Sequence, residues 1–333
     1  VPGPPGPVTA RVVSAPDTGR MAPQPMSTSK NRSPRSRWRT LAWLVPAALV
    51  AVVAVVLLAR WLRDLPAVSA FVADYPGTAP RPADAPEGIP AWLAWQHFFN
   101  AFFLVLLVRT GMLIRAGGRQ QGHWQRRNTG PLRTKGKPAK ISLNLWLHLA
   151  VDVLWVLTGI SYVVMLLATG QWVRIVPTTW EVFPHAASAL LQYASFDWPS
   201  SDGWSSYNAL QQLAYFVTVF VAAPLSIITG LRMSPAWPKG AGGINRVVPI
   251  GVARALHFPV MLYFVAFVVV HVTLVLTTGA RENLNHMFAA SDDGGWLGVV
   301  LFAVSVALMV AAWVLAKPVF TGPVAALTGK VAR

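Results

Sequence analysis

Seven histidines and no cysteine occur in the 333 residues. Four of the histidines, His97, His148, His257 and His271, fall inside long apolar segments. An ionisable side chain is costly in hydrocarbon, so a histidine there points first to function. Two chemistries suit it. A neutral imidazole can hydrogen-bond a neighbouring helix, or its free lone pair can ligate a metal such as haem iron. The lack of cysteine excludes disulfides, thiolate-held iron–sulfur clusters, thiolate zinc sites and covalent c-type haem attachment within the chain. Any metal is left to histidine, methionine or carboxylate.

The segments that carry these residues set the fold class. Hydrophobic residues make up 54% of the chain and charged ones 12%, too apolar for a soluble domain with a polar shell. Six apolar spans, at 41–62, 92–114, 143–168, 210–233, 251–279 and 296–316, reach the roughly 20 residues that cross a bilayer core. The expected architecture is all-α, a multi-pass transmembrane helical bundle. A four-helix core over 92–280 carries one extra helix at each end, 41–62 and 296–316. Residues 1–40, rich in Pro, Ser, Arg and Gly, are expected to form a disordered basic tail in which Met21 and Met26 offer later starts. The first span reads as an anchor rather than a signal peptide ending at Val68-Ser69-Ala70, because it is long for a signal and Arg60 and Arg63 flank its far end.

The net charge of +16 is a topology signal rather than a nucleic-acid footprint. Basic residues gather in the tail, in the connection from Arg115 through Arg119, Arg126, Arg127, Arg133, Lys135 and Lys137 to Lys140, and in the connection holding Arg232, Lys239, Arg246 and Arg254. Ten of the twelve acids lie in the alternate connections: Asp64, Asp74, Asp84, Glu87, Glu181, Asp197, Asp202, Glu282, Asp292 and Asp293. Both termini are therefore expected on the cytoplasmic side of a bacterial plasma membrane.

That topology sorts the histidines by depth. His257 and His271 are fourteen residues apart on one span, nearly the same helical face and roughly 21 Å along the axis. Running outside to inside, the second span puts His97 level with His271; the third, running back, puts His148 level with His257. Two bis-histidine pairs result, one at each membrane surface, as two stacked b haems require, with no open position for oxygen chemistry. Arg109, Arg232 and Arg254 at inner span ends suit haem propionates, or simply the cytoplasmic charge bias. Gly111, Gly159 and Gly230 would admit a flat macrocycle, or merely pack helices. Asp152, one turn beyond His148, would exchange protons at a quinone site or pair with Arg109. His123, His185 and His286 lie in connections and read as solvated or structural. His286 stands near the outer haem level, where it would suit a docking surface or a quinone pocket. The tryptophan-rich stretch 170–208 suits an interfacial cap.

With these residues in view, the chain over 92–280 resembles the di-haem cytochrome b subunits of formate dehydrogenases, nickel–iron hydrogenases and thiosulfate reductases. Those subunits carry one histidine on the first core helix, one on the second and two on the fourth, spaced as His257 and His271 are, and Arg254-Ala255-Leu256 is similar as well. The resemblance implies His97 with His271 on one haem and His148 with His257 on the other. It also implies an anchor that links a molybdenum or iron–sulfur partner oxidoreductase to quinone, an electron-transfer subunit of a respiratory chain rather than a complete enzyme. The helix before the core inverts it relative to subunits that begin with the core. Ferric reductases and the cytochrome b of bc complexes place histidine pairs on two helices, whereas only the fifth span does so here. A transporter using the intramembrane His and Asp for protons or a transition metal is the alternative, and it calls for polar helices or internal repeats.

Overall fold

The computed structural model describes residues 3, 34–117, 122–129, 133, 136–198, 203–238, 240 and 242–332. Of the expected tail, residues 1, 2 and 4–33 lie outside these, as do Arg119, Lys135, Asp202 and Lys239. The chain divides into two compact units, residues 1–53 and 54–333. The described helical part of the first is the start of a helix that begins at Pro34, within the residues expected as tail, and is exposed from Ala42 to Val53.

In chain order the elements are α1 (Pro34–Asp64), α2 (Pro66–Asp74), α3 (Ala91–Ala116), β1 (His123–Arg126), β2 (Lys140–Ser142), α4 (Leu143–Ala168), α5 (Val182–Ala194), α6 (Ala209–Val217), α7 (Ala223–Met233), α8 (Gly242–Val247), α9 (Ile250–Thr277), α10 (Ala280–Leu284), α11 (Leu297–Leu315), α12 (Pro318–Thr328) and β3 (Gly329–Ala332). Among the described residues, six stretches are long and apolar enough to cross a membrane: Ala42–Asp64, Ala91–Ala116, Leu143–Ala168, Ala209–Met233, Ile250–Thr277 and Leu297–Leu315. The protein is a multi-pass helical membrane protein.

Local sequence explains where the core helices begin and end. Ser142 caps α4 by accepting from the Leu145 amide, and Asn208 with Gln211 forms a reciprocal capping box on α6. Gly117 ends α3 in a left-handed conformation, φ 62°, which a side chain would resist. The fourth span is not one regular helix. A π-turn, Thr218–Ala222, joins α6 to α7 just before Pro224, whose missing amide hydrogen breaks the ladder at that point. The Thr218 hydroxyl in this turn meets the Tyr263 hydroxyl of α9 at 2.8 Å.

The four core spans converge at mid-depth. Ala222, Val260 and Phe264 are buried together, with Leu104, Trp155, Leu225 and Tyr263 packed around them. Trp155 of α4 meets Phe264 of α9 edge-on, centroids 6.0 Å apart. The last span, given no role by sequence alone, packs on α3 and α4: Ala312 and Ala316 lie against Leu106, Leu107 and Val151, and Trp313 lies under the Arg109 guanidinium.

The two ends of the core are built differently. One is closed by a three-stranded antiparallel sheet of order β2-β1-β3, in which Trp124 pairs with Val331 and donates its indole N–H to Ala325 O at 3.0 Å. This small sheet, like α12, is an addition to the expected helical bundle. Its strands are three or four residues long and carry little apolar alternation, so they leave no periodic signal. The other end is capped by residues 170–198, 203–208 and 280–296. There the buried Arg174 donates to Gly88 O at 2.8 Å and to Trp204 O at 2.5 Å. Arg81 reaches Ser205 O, and Arg63 pairs with Asp197 at 2.5 Å. The first is the sheet end of the core and the second its tryptophan-rich end.

Candidate functional site

His97, six residues into α3, and His271, near the end of α9, meet at the tryptophan-rich end with ring centroids 6.1 Å apart. Aromatic residues frame the pair. Phe288 stands edge-on to His97 at 5.5 Å, Phe267 lies parallel to His271 at 5.6 Å with 3° between planes, and Tyr215 meets His271 edge-on at 5.9 Å. Among the described residues neither ring has a hydrogen-bond partner, and the Nδ1 atom of His97 is buried without one. Two imidazole nitrogens at about 2 Å from one metal leave their ring centroids about 6 Å apart, the spacing seen here.

At the sheet end, His148 on α4 and His257 on α9 are held by a device that occurs twice. His148 Nδ1 lies 2.8 Å from the hydroxyl of Thr110 on α3, and His257 Nδ1 lies 2.9 Å from that of Thr229 on α7. Both threonines are buried, 0% and 2% exposed, so each oxygen is placed by packing as well as by its helix. A glycine follows each. A Cβ on Gly111 would stand 3.6 Å from His148 Cε1, and one on Gly230 would stand 3.3 Å from His257 Cε1. These glycines face the imidazoles, whereas Gly159 faces open space.

The other expected residues separate. Asp152 does not pair with Arg109: its Oδ2 stands 3.8 Å from His148 Nε2, one turn away on α4 and beyond hydrogen-bond distance. The Arg109 guanidinium sits 5.7 Å over the Trp313 ring with Nη1 buried and unpartnered. Arg232 donates to Val248 O at 2.7 Å. Arg254 is exposed. His185 and His286, expected in connections, are both buried, 5% and 3% exposed. His185 Nδ1 accepts the Gly77 amide at 3.3 Å.

His286 Nε2 lies 2.6 Å from Asp292 Oδ1, with Glu282 close by. Two ligands of one tetrahedral cation stand about 3.3 Å apart, so the His286–Asp292 contact is a hydrogen bond rather than half of a metal site. Its role is local: it fixes the π-turn Asn285–Ala289 that carries Phe288 against His97.

Sequence reasoning missed Thr110, Thr229 and the ring-framing aromatics. The dipeptide Thr-Gly that carries each threonine, at 110–111 and 229–230, occurs nine times in the chain and so marked neither. Nothing in composition distinguished Phe267 or Phe288 from the many aromatics that face lipid.

The sequence profile described as prokaryotic cytochrome b561 matches residues 89–290, more than half of the chain. The chain belongs to the prokaryotic cytochrome b561 family. The matched residues run from the start of α3 through the π-turn that carries His286 and Phe288, and so contain all four intramembrane histidines. As a prokaryotic cytochrome b561, the protein is a membrane cytochrome b that binds haem b and transfers electrons. No match was found among curated proteins or among solved structures.

The residues present fit the haem that the family implies. Four histidines lie at the two ends of the helical core, and at one of those ends the rings already stand at the spacing of two ligands on one metal. The buried, unpartnered atoms His97 Nδ1 and Arg109 Nη1 are the kind of polar groups that a bound haem and its carboxylates would engage.

Proposed function

We propose that this prokaryotic cytochrome b561 carries two b haems and passes electrons between membrane quinone and a partner oxidoreductase. His97 with His271 would hold one haem at the tryptophan-rich end, and His148 with His257 the other at the sheet end. The observation that carries the reading is the 6.1 Å approach of the His97 and His271 rings, since no hydrogen bond between them or to any other described group accounts for it.

Bound haem b supplies a one-electron couple; the protein supplies ligation, depth and polarity. Two ligands of the same kind on each iron leave no open position, so the site favours electron transfer over oxygen activation. Arg109 and Arg254 are assigned to propionates at the sheet end. The unpartnered Nη1 of Arg109 supports the first assignment, and the place of Arg254 one turn into α9 supports the second. Asp152, beside His148, is assigned to proton exchange with quinone at that depth, because a carboxylate in hydrocarbon is retained for protons or charge. The sheet end is assigned to the cytoplasm by its basic residues. The partner is assigned as an iron–sulfur or molybdenum oxidoreductase.

The test is a dithionite-minus-air difference spectrum of the purified chain with haem and protein quantified. Two b haems per chain that are reoxidised by added quinone are expected. One haem per chain would overturn the pairing, and a colourless protein the whole reading.

A further inference from the structure

We infer that Thr110 and Thr229 are positioning residues for the two sheet-end haem ligands: each accepts the Nδ1–H of one imidazole and so leaves Nε2 as its lone-pair nitrogen. This rests on the haem reading above.

The Thr110 hydroxyl lies 2.8 Å from Leu106 O, and the Thr229 hydroxyl 2.7 Å from Leu225 O. Each is the back-bond of a helical threonine to the carbonyl four residues earlier. A hydroxyl has a single proton, and that carbonyl takes it. The oxygen therefore presents lone pairs to the imidazole, and the proton in the 2.8 Å and 2.9 Å contacts must come from Nδ1. A neutral histidine carries one N–H. With it on Nδ1, the nitrogen left to bind metal is Nε2 in both rings.

The device is complete on each side. Gly111 and Gly230 let each ring lie against the helix that holds its threonine, and the threonines are sealed from competing water. The tryptophan-rich end has no counterpart, since the described residues leave His97 Nδ1 unpartnered and give His271 only ring contacts. A ligand whose distal N–H is donated becomes more basic and favours the ferric form, so the threonines hold the sheet-end haem at a lower potential than the same ligands would give without them.

The experiment is a spectroelectrochemical titration of the purified full chain carrying Thr110→Val, Thr229→Val, both together, or Thr→Ser at either position. His257→Ala identifies which midpoint belongs to the sheet end. In the valine variants the sheet-end midpoint should rise, further in the double variant, while the other haem stays in place; serine should return it to the original value. Loss of only the sheet-end haem in the valine variants, restored by serine, also supports the inference. Unmoved midpoints, equal shifts of both haems, or serine behaving as valine would overturn it. A parent protein without haem would bring down the haem reading and this inference together; haem with insensitive midpoints brings down the inference alone.

Discussion

The two histidine pairs are placed by opposite means. At the sheet end, each ring is tied by a hydrogen bond to the helix next to its own, within the hairpins α3–α4 and α7–α9. At the tryptophan-rich end, the rings come from helices of different hairpins and meet without hydrogen bonds, in a frame of Phe267, Phe288 and Tyr215. Phe288 is delivered by a π-turn that depends on the His286–Asp292 bond and on Asn285, which donates to Asp293 at 2.8 Å. The first arrangement is set within neighbouring helices, whereas the second also draws on Phe288 from the π-turn beyond α10. Directional bonds fix a tautomer, whereas aromatic packing fixes only a plane.

Removing a ligand gives the largest effect that separates the ends. His257→Ala or His148→Ala should cost roughly half of the b-haem absorbance and spare the haem of the other end, and His97→Ala or His271→Ala should do the converse. Haem quantified by pyridine haemochrome, with redox titration naming the survivor, reads this out. Loss of both haems from every single variant would mean that the two sites are not independent, and the comparison would fail.

Much of this arrangement was legible in the sequence because membrane helices obey simple rules. Length and charge bias placed the spans, and a fourteen-residue spacing placed His257 and His271 on one face at two depths. What escaped belongs to the second layer. Thr110 and Thr229 look like ordinary helix residues until the partner helix is known, since their back-bonds hide the hydroxyls from any periodicity. Asp152 was offered Arg109 because both lie at similar depth, but Arg109 turns to Trp313 on α11, a helix whose docking on α3 no local pattern announces. The sheet brings together strands separated by just over two hundred residues, a pairing written in tertiary contacts rather than in a run of alternating side chains.

A smaller effect tests how closely the sheet-end rings are seated. Gly230→Ala puts a methyl 3.3 Å from His257 Cε1, tighter than ordinary contact, whereas Gly111→Ala puts one 3.6 Å from His148 Cε1. Alanine at 230 must tilt the ring away from Thr229. The overpacking should cost on the order of 1 kcal/mol in thermal stability and displace the sheet-end haem signal, while alanine at 111 should be nearly silent. Equal responses would show that the ring positions tolerate more slack than the hydrogen bonds imply.

The smallest effect concerns acid and should reach one end only. His185 lies in the cap of the tryptophan-rich end, buried, with Nδ1 accepting the Gly77 amide. Burial lowers its pKa below the usual imidazole value, against the opposing attraction of Glu181. The unfolded chain therefore takes up the proton at higher pH than the folded cap does. Stability is undiminished above about pH 6.5, the ordinary value for histidine, and falls as the pH drops below it. A protonated Nδ1 can no longer accept the Gly77 amide, so the cap loses that bond when it charges. Hydrogen exchange between pH 7.5 and pH 5, corrected for intrinsic rates, should show Gly77 and residues 185–195 losing protection while α4 and α9 near Thr110 and Thr229 keep theirs. His185→Gln, which retains an acceptor but does not titrate, should remove the pH dependence. If acid loosened the sheet end equally, the two ends would share one cooperative unit despite their different construction.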